Sequence, residues 1–274
     1  MKFNGFISAY ADDIKIFGVA GQLLQDDIDK FSLWVKSNGL TINIKKSVCV
    51  SVGRVYSDCD YTVNGLSLIR SDSFKDLGVI FDYSFKFTTH LNKIKLSCYR
   101  LINLAFKVFV SKQPLLYLKF YSTYVLPLID YCSPLYVNIS CNNTNLIEKI
   151  QRFFTKRLYR RIYSSNIIPS YPDRLALFGL RCYEYRSKAT DLTILYRMIN
   201  GSLVVPGVVF TRSSHKPNRF ILCRPSSSLQ RDFFVHRTLS LWNKYLSNMQ
   251  ITSFHDFKHH LSTLSLSSFQ TGSA

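Results

Sequence analysis

Apolar positions change period near residue 88. Before it they alternate or fall in short runs, as on a pleated strand; after it they recur at three and four residues, as on one helix face. In the first part, Phe6-Ile7 and Ile14-Lys15-Ile16-Phe17 flank a polar turn and predict a strand–turn–strand hairpin. Residues 22–37 predict a helix, because Leu24, Ile28, Phe31 and Val35 share a face with Trp34 at its edge. Asp26 and Asp27 fall in its early turns, where carboxylates complement the dipole, and Asn38-Gly39 ends it. Residues 40–52 read as β. Asn64-Gly65, between Tyr61-Thr62-Val63 and Leu66-Ser67-Leu68-Ile69, predicts a two-residue hairpin, and Gly78-Val79-Ile80-Phe81 a further strand.

In the second part, helices are expected at 89–110, 113–125, 144–163, 173–200, 232–247 and 253–264. Pro127, Pro134, Pro169, Pro172, Pro206, Pro217 and Pro225 would lie between them as breakers. Residues 201–230 read as a loop or weak β region, and the Ser/Thr-rich tail after 264 is expected to fray. There is no internal repeat. The fold class is therefore α+β: β-hairpins with one helix, then a mainly α-helical remainder.

Composition narrows the class. At 274 residues and 47% apolar content the chain can bury a core, and the composition excludes disorder. No apolar run approaches the roughly 18 residues of a membrane span. Asp12 and Asp13 interrupt any signal-peptide pattern, so the expectation is an intracellular protein with no membrane partner. Seven dispersed cysteines without a C-x-x-C pair predict neither a zinc knuckle nor a redox pair, but reduced thiols packed as small apolar groups. The net charge of +18 is uneven: residues 1–87 hold 10 Lys/Arg and 10 Asp/Glu, residues 88–274 hold 25 and 7. A neutral part followed by a strongly basic one points to a polyanionic partner for the latter.

One helix concentrates that charge. In 144–163, Ile147, Ile150, Phe154 and Leu158 project to one side, and Lys149, Arg152, Lys156 and Arg160 to the other. The basic row is about 16 Å long. Arg157 and Arg161 widen it, and only Glu148 offsets it. The alternatives are a solvated surface and a contact with nucleic-acid phosphates.

The turn of the first hairpin, Tyr10-Ala11-Asp12-Asp13, places two carboxylates together. Mg²⁺ favours hard carboxylate oxygens, and two such ions can clamp the attacking and leaving oxygens of a phosphoryl transfer. Aspartates are also common in ordinary turns, so the tetrapeptide gains weight only from the motifs downstream of it in the chain.

In order, these pieces resemble the C-terminal part of the reverse transcriptase of non-LTR (LINE-like; jockey, CR1 and RTE type) retrotransposons. Tyr10-Ala11-Asp12-Asp13 resembles that family's third palm motif. Asn38-Gly39-Leu40 with Asn43-Ile44-Lys45-Lys46-Ser47 resembles the next, and Phe74-Lys75-Asp76-Leu77-Gly78-Val79 with Phe81-Asp82 the one after. His90 sits where the family begins its first thumb helix. The likeness continues through Pro127-Leu128-Ile129-Asp130-Tyr131-Cys132-Ser133-Pro134, with Tyr136 where Trp is usual, and through Ile147-Glu148-Lys149-Ile150-Gln151-Arg152. It runs on through Arg174-Leu175, Gly179-Leu180, Glu184, Arg186, Asp191-Leu192, Tyr196 and Gly201 to Trp242-Asn243 and Phe257. Asp76 departs from the usual aromatic, and Tyr245-Leu246-Ser247 from the usual Leu-Pro.

The resemblance implies a partial palm at 1–87, a helical thumb-like region at 88–163, a helical C-terminal region at 164–264 and a frayed tail at 265–274. It implies Mg²⁺ on Asp12 and Asp13 as catalytic carboxylates, Lys46 near the nucleotide phosphates, and Phe74, Leu77 and Gly78 as a primer grip. Read from residue type alone, Lys46 is equally a strand-end lysine, and Phe74 and Leu77 are more readily hairpin core than primer grip. Lys149, Arg152, Lys156, Arg157, Arg160 and Arg161 would contact RNA template, RNA–DNA hybrid or DNA. The implied reaction is RNA-templated DNA synthesis. Fingers, the first two palm motifs and an endonuclease have no counterpart, so the expectation is a truncated nucleotidyltransferase, inactive alone. The alternatives are a non-catalytic RNA or hybrid binding module and a relic without function.

Overall fold

The computed structural model describes residues 2–52, 59–136, 141–164, 167–216, 218–226, 230–231 and 233–264, the side chain of Cys141 excepted. The fold mixes helix with small sheets, as α+β requires. It divides into two compact units, Met1–His90 and the chain from Leu91 onward.

The first unit is built from hairpins. β1 (Phe6–Tyr10) and β2 (Asp13–Phe17) pair antiparallel with Tyr10 opposite Asp13. α1 (Gln22–Ser37) ends at Gly39, which takes φ 70° as the sequence predicts. Beyond it the β reading of 40–52 holds only for β3 (Val48–Cys49); Ile44–Lys46 wind into a 3₁₀ turn instead. That turn closes because Lys46 N–H and Ser47 N–H both donate to Asn43 O. β4 (Thr62–Val63) and β5 (Leu66–Ser67) form the predicted Asn64-Gly65 hairpin, with positive φ at both turn residues. β6 (Ile69–Arg70) pairs parallel with β3. β7 (Ser73–Asp76) and β8 (Val79–Asp82) pair antiparallel. A small core of Ile28, Tyr61 and Val63 lies under α1. The Gln25 side-chain amide completes the β4 edge, accepting from Thr62 N–H at 3.0 Å and donating to Thr62 O at 2.8 Å.

Asp27 does something other than complement a dipole. It lies past the first turn of α1, almost wholly buried, and accepts from Asn4 N–H at 2.9 Å and Gly5 N–H at 2.8 Å. It therefore ties α1 to the start of β1. Burial alone would raise its pKa, but the two N–H bonds and Lys30 outweigh that and hold the carboxyl below the usual range.

The second unit is helical. α2 (Thr88–Val108) starts in the first unit, where buried His90 accepts from Ile80 N–H through Nδ1, and runs into the second. α3 (Pro114–Phe120) continues through a π turn (Tyr121–Val125) into α4 (Leu126–Asp130). Pro127 thus does not break the helix. It sits in the first turn of α4, where the missing N–H costs no bond, and the wider π turn lies just before it. Pro134 likewise lies in α5 (Ser133–Tyr136) and Pro172 in the first turn of α7 (Tyr171–Leu177). The predicted helix at 173–200 is two helices, α7 and α8 (Tyr183–Ile199). Gly179 at φ 62° ends α7, and Leu180 N–H returns to Leu175 O at 2.9 Å. α6 (Cys141–Tyr163), α9 (Phe234–Tyr245) and α10 (Phe254–Thr263) lie close to their predicted spans. Pro217 and the tail from 265 lie outside the described residues.

Two clusters fill this unit. Tyr121 stacks on Phe154 at 4.0 Å, and Phe106 on Tyr117 at 4.7 Å, between α2, α3 and α6. Leu192, Leu195, Leu239, Trp242 and Phe257 join α8, α9 and α10. Asp191 and Arg237 form a buried ion pair at 2.9 Å beside the latter. Cys98 is buried, and burial pushes its thiol up to about 12, so it is inert at neutral pH. Cys59 and Cys223 are exposed, against the expectation of packed thiols. Among the described residues no helix is long and apolar enough to cross a membrane.

Candidate nucleic-acid interface

α6 is set in place by its interior face. Ile147, Ile150, Phe154 and Leu158 are each no more than 1% exposed, as the spacing predicts. Three polar residues, Glu148, Gln151 and Thr155, share that face. Glu148 accepts from Tyr183 N–H at 2.8 Å and from the Tyr171 hydroxyl. Gln151 donates to Arg181 O at 2.8 Å and accepts from Arg186 at 2.6 Å, while Arg186 reaches Asp130 at 3.3 Å. Buried polar groups must be satisfied, and these partners come from α4, α7, α8 and the α7–α8 connection, so only one rotation of α6 satisfies them all. Glu148 is consequently inside the unit and does not neutralise the basic row.

That rotation turns Lys149, Arg152, Lys156 and Arg160 to solvent. Among the described residues no carboxylate pairs with any of them. Arg152 lies 4.1 Å over the Tyr171 ring, which holds its guanidinium in place without cancelling its charge. Arg157 and Arg161 depart from the expected row. Arg157 donates to Asn103 Oδ1 and lies 4.9 Å over the Phe106 ring, and Arg161 donates to Phe106 O at 2.7 Å. Each gives one donor to tying α6 to α2. A shallow groove of about 490 Å³ opens beside the row, lined by Lys95, Asn142, Asn145, Leu146, Lys149 and Arg152. Lys95 comes from α2. Sequence reasoning missed it because nothing in its own helix marks it; only packing brings it beside Lys149.

The first unit presents the candidate catalytic residues differently. Asp12 lies in the two-residue turn and Asp13 opens β2, so the tip carries both carboxylates in solvent. Ala11 takes φ 52° at the position where glycine is favoured. The flanking strands leave Phe6 82% and Tyr10 64% exposed. Among the described residues no group of three or more His, Cys, Asp or Glu stands together to hold a metal ion. Mg²⁺ needs near-octahedral oxygen ligands, and two adjacent carboxylates on an exposed turn supply too few for a pair of ions. These residues do not by themselves fit a two-ion site.

Lys46 is exposed at the end of the 3₁₀ turn and belongs to none of the three hairpins. Phe74 stacks on Phe81 across the β7–β8 pair at 5.1 Å. Leu77 and Gly78 are that hairpin's turn, with φ 44° and 90°, and Leu77 is 44% exposed. Asp76 pairs with Lys15 at 2.8 Å, which lays the β7–β8 hairpin against β2. The Asp82 carboxylate accepts from Lys86 N–H at 3.1 Å, Phe87 N–H at 2.7 Å and the Ser84 hydroxyl, closing the loop before α2.

Two known proteins are similar to parts of the chain. Over 146 residues, 53% of this chain and 73% of the relative, it is 27% identical to an uncharacterised protein of Caenorhabditis elegans. Over 96 residues it is 32% identical to an RNA-directed DNA polymerase from mobile element jockey of Drosophila funebris, a match covering 32% of this chain and 10% of that relative. The second likeness supports an origin related to the polymerases of mobile elements. No protein-family model matches the chain, and no solved structure does.

Proposed function

We propose that this chain is a nucleic-acid-gripping portion of a non-LTR retrotransposon reverse transcriptase. In this reading the first unit derives from the palm and the second is thumb-like. The observation that carries it is the α6 row: four exposed cations of one sign, with no acidic partner among the described residues, on a helix whose rotation is fixed by Glu148 and Gln151. Such a row suits successive phosphates of RNA template, RNA–DNA hybrid or DNA, and binding through it releases counterions. The likeness to a jockey polymerase supports the same partner class.

Asp12 and Asp13 are proposed as the metal-binding carboxylates of the parent reaction, with Lys46 toward the nucleotide and Phe74, Leu77 and Gly78 toward the primer. The donor set argues for binding without catalysis by residues 1–274 alone, because a two-ion site needs a further carboxylate. The test is binding of the purified chain to a labelled RNA–DNA hybrid across a salt series, beside Arg152→Glu/Lys156→Glu/Arg160→Glu. The wild-type chain is expected to bind with affinity that falls steeply with salt. The triple variant is expected to flatten the slope of log affinity against log salt by about 2 to 3. Salt-independent binding, or an unchanged slope in the variant, would remove this reading. Primer extension by the pure chain would sink the claim of inactivity.

A further inference from the structure

Buried Asp191 has Arg237 beside it. Arg174, on α7, is buried too, at 7% exposure, but among the described residues no carboxylate pairs with it. Its guanidinium is nevertheless held from three sides. Nε donates to Thr155 Oγ1 at 3.3 Å, Nη1 donates to Pro169 O at 2.5 Å, and the group lies 5.6 Å from the centre of the Tyr171 ring. The remaining nitrogen, Nη2, has no partner among the described residues and keeps contact with solvent.

A guanidinium stays charged at ordinary pH, and a charge taken out of water without a counterion is costly. Two acids belong to the same neighbourhood, and both are engaged elsewhere. Asp173 accepts from the Ser170 hydroxyl at 2.5 Å, and Glu148 accepts from the Tyr171 hydroxyl and from Tyr183 N–H.

Packing brings a second cation to the same place. Arg152 lies 4.1 Å over the same Tyr171 ring. Thr155, one turn along α6 from Arg152, accepts from Arg174 and donates to Arg152 O at 3.2 Å. Two cations thus converge on one ring and one turn of α6. Burial pushes Arg174 down from the ordinary arginine value, and the Arg152 charge adds to that. An anion held by both would relieve the repulsion and the missing counterion together.

We infer that Arg152 and Arg174 form a clamp for one phosphate group of the strand held by the α6 row, with Arg174 as its specificity-determining anchor. Thr155, Pro169 and Tyr171 fix Arg174 before any ligand arrives, which lowers the ordering cost of its contact. The single-sign row continues from Arg152 through Lys156 and Arg160, which favours a chain of phosphates over a lone carboxylate. The inference rests on the reading that α6 grips nucleic acid.

The full chain is melted in sodium phosphate and in sodium chloride of equal ionic strength. Its affinity for a labelled RNA–DNA hybrid is read across a sodium chloride series. The variants are Arg174→Lys, which keeps the charge but loses the fork, and Arg152→Gln at the exposed partner. Lys156→Glu/Arg160→Glu is the reference for the row. Wild type is expected to melt higher in phosphate, and both clamp variants to lose most of that difference. Arg174→Lys is expected to weaken hybrid binding about tenfold at every salt concentration with an unchanged log–log slope, as loss of one charge-assisted hydrogen bond at constant charge requires. A merely structural Arg174 would lower the melting temperature in both salts alike and preserve the difference between them, and that result removes the inference. If both clamp variants keep the wild-type difference and hybrid affinity while the reference flattens the slope, the clamp is no site and the α6 reading stands. If the reference leaves the slope unchanged, the α6 reading falls and the clamp's place on the strand falls with it. Clamp variants that lose the phosphate difference but keep hybrid affinity would assign the pair to free phosphate and overturn its assignment to a strand.

Discussion

The exposed row of α6 and the carboxylate tip of the β1–β2 hairpin are held in opposite ways. α6 has a finished interior behind it: apolar residues buried to within 1%, two satisfied polar anchors, and its cations left in water. The hairpin tip has little behind it. Its strands leave Phe6 and Tyr10 mostly exposed, and its carboxylates stand without a third donor among the described residues. A basic row needs only one well-set helix, because phosphate contact is long-ranged and tolerant of geometry. A two-ion site needs several carboxylates converging from different elements to within a few tenths of an ångström. The first can be complete inside one helical unit; the second cannot be made by one turn.

Four changes probe that difference. The largest effect is expected from Asp191→Ala, which leaves Arg237 buried without its partner. Such a break costs about 3–5 kcal/mol, and it should appear as lost hydrogen-exchange protection in α8 and α9. Protection that survives unchanged would mean that the pair does not hold this unit. Next comes Gly5→Ala. A Cβ at Gly5 would lie 2.1 Å from Phe17 O, so the β1–β2 ladder must shift. The expected cost is about 2 kcal/mol, read as faster exchange of the first unit's amides. An unaltered exchange rate there would show that the hairpin is already loose.

A smaller effect of opposite sign is expected at the β7–β8 hairpin. Leu77→Asn places a residue tolerant of positive φ where leucine is strained, and should stabilise the first unit by about 1 kcal/mol in denaturant unfolding. Loss of stability would mean that exposed Leu77 makes contacts that matter more than its backbone.

The smallest effect is acid-dependent. Asp27 and Asp82 are held below the ordinary carboxylate range: burial acts to raise both, and hydrogen bonds to the carboxylates outweigh it. Because their folded pKa is depressed, the stability they contribute is present above the unfolded value near 4 and is lost as pH falls through the folded one. Asp27→Asn should therefore destabilise the first unit at neutral pH and make its acid unfolding shallower. An acid limb identical to wild type would show that Asp27 contributes nothing there.

Much of the fold was legible in sequence where one local rule dominated. Asn64-Gly65 fixes a two-residue turn because both residues tolerate positive φ, and α6 follows from the spacing of Ile147, Ile150, Phe154 and Leu158. The errors arose where a local rule met a tertiary one. Pro127 reads as a breaker, yet a π turn upstream lets the helical path continue. Gly179 sits inside a periodic stretch, and only its left-handed backbone shows that 173–200 is two helices. Arg157 and Arg161 look like Arg160 in the row, and only packing shows that each also gives one hydrogen bond to α2.

By itself, the sequence determined the α+β composition, the change of period near residue 88, the charge asymmetry and the presence of Asp12-Asp13 at a turn. All of these depend on residues near one another in the chain. Only the tertiary structure decided which polar residues face inward. Glu148 and Gln151 became anchors, Asp27 a tie to β1, and Asn243 a clamp on Phe220. Each takes that role from a partner distant in sequence, and no periodicity within a single helix encodes such a partner.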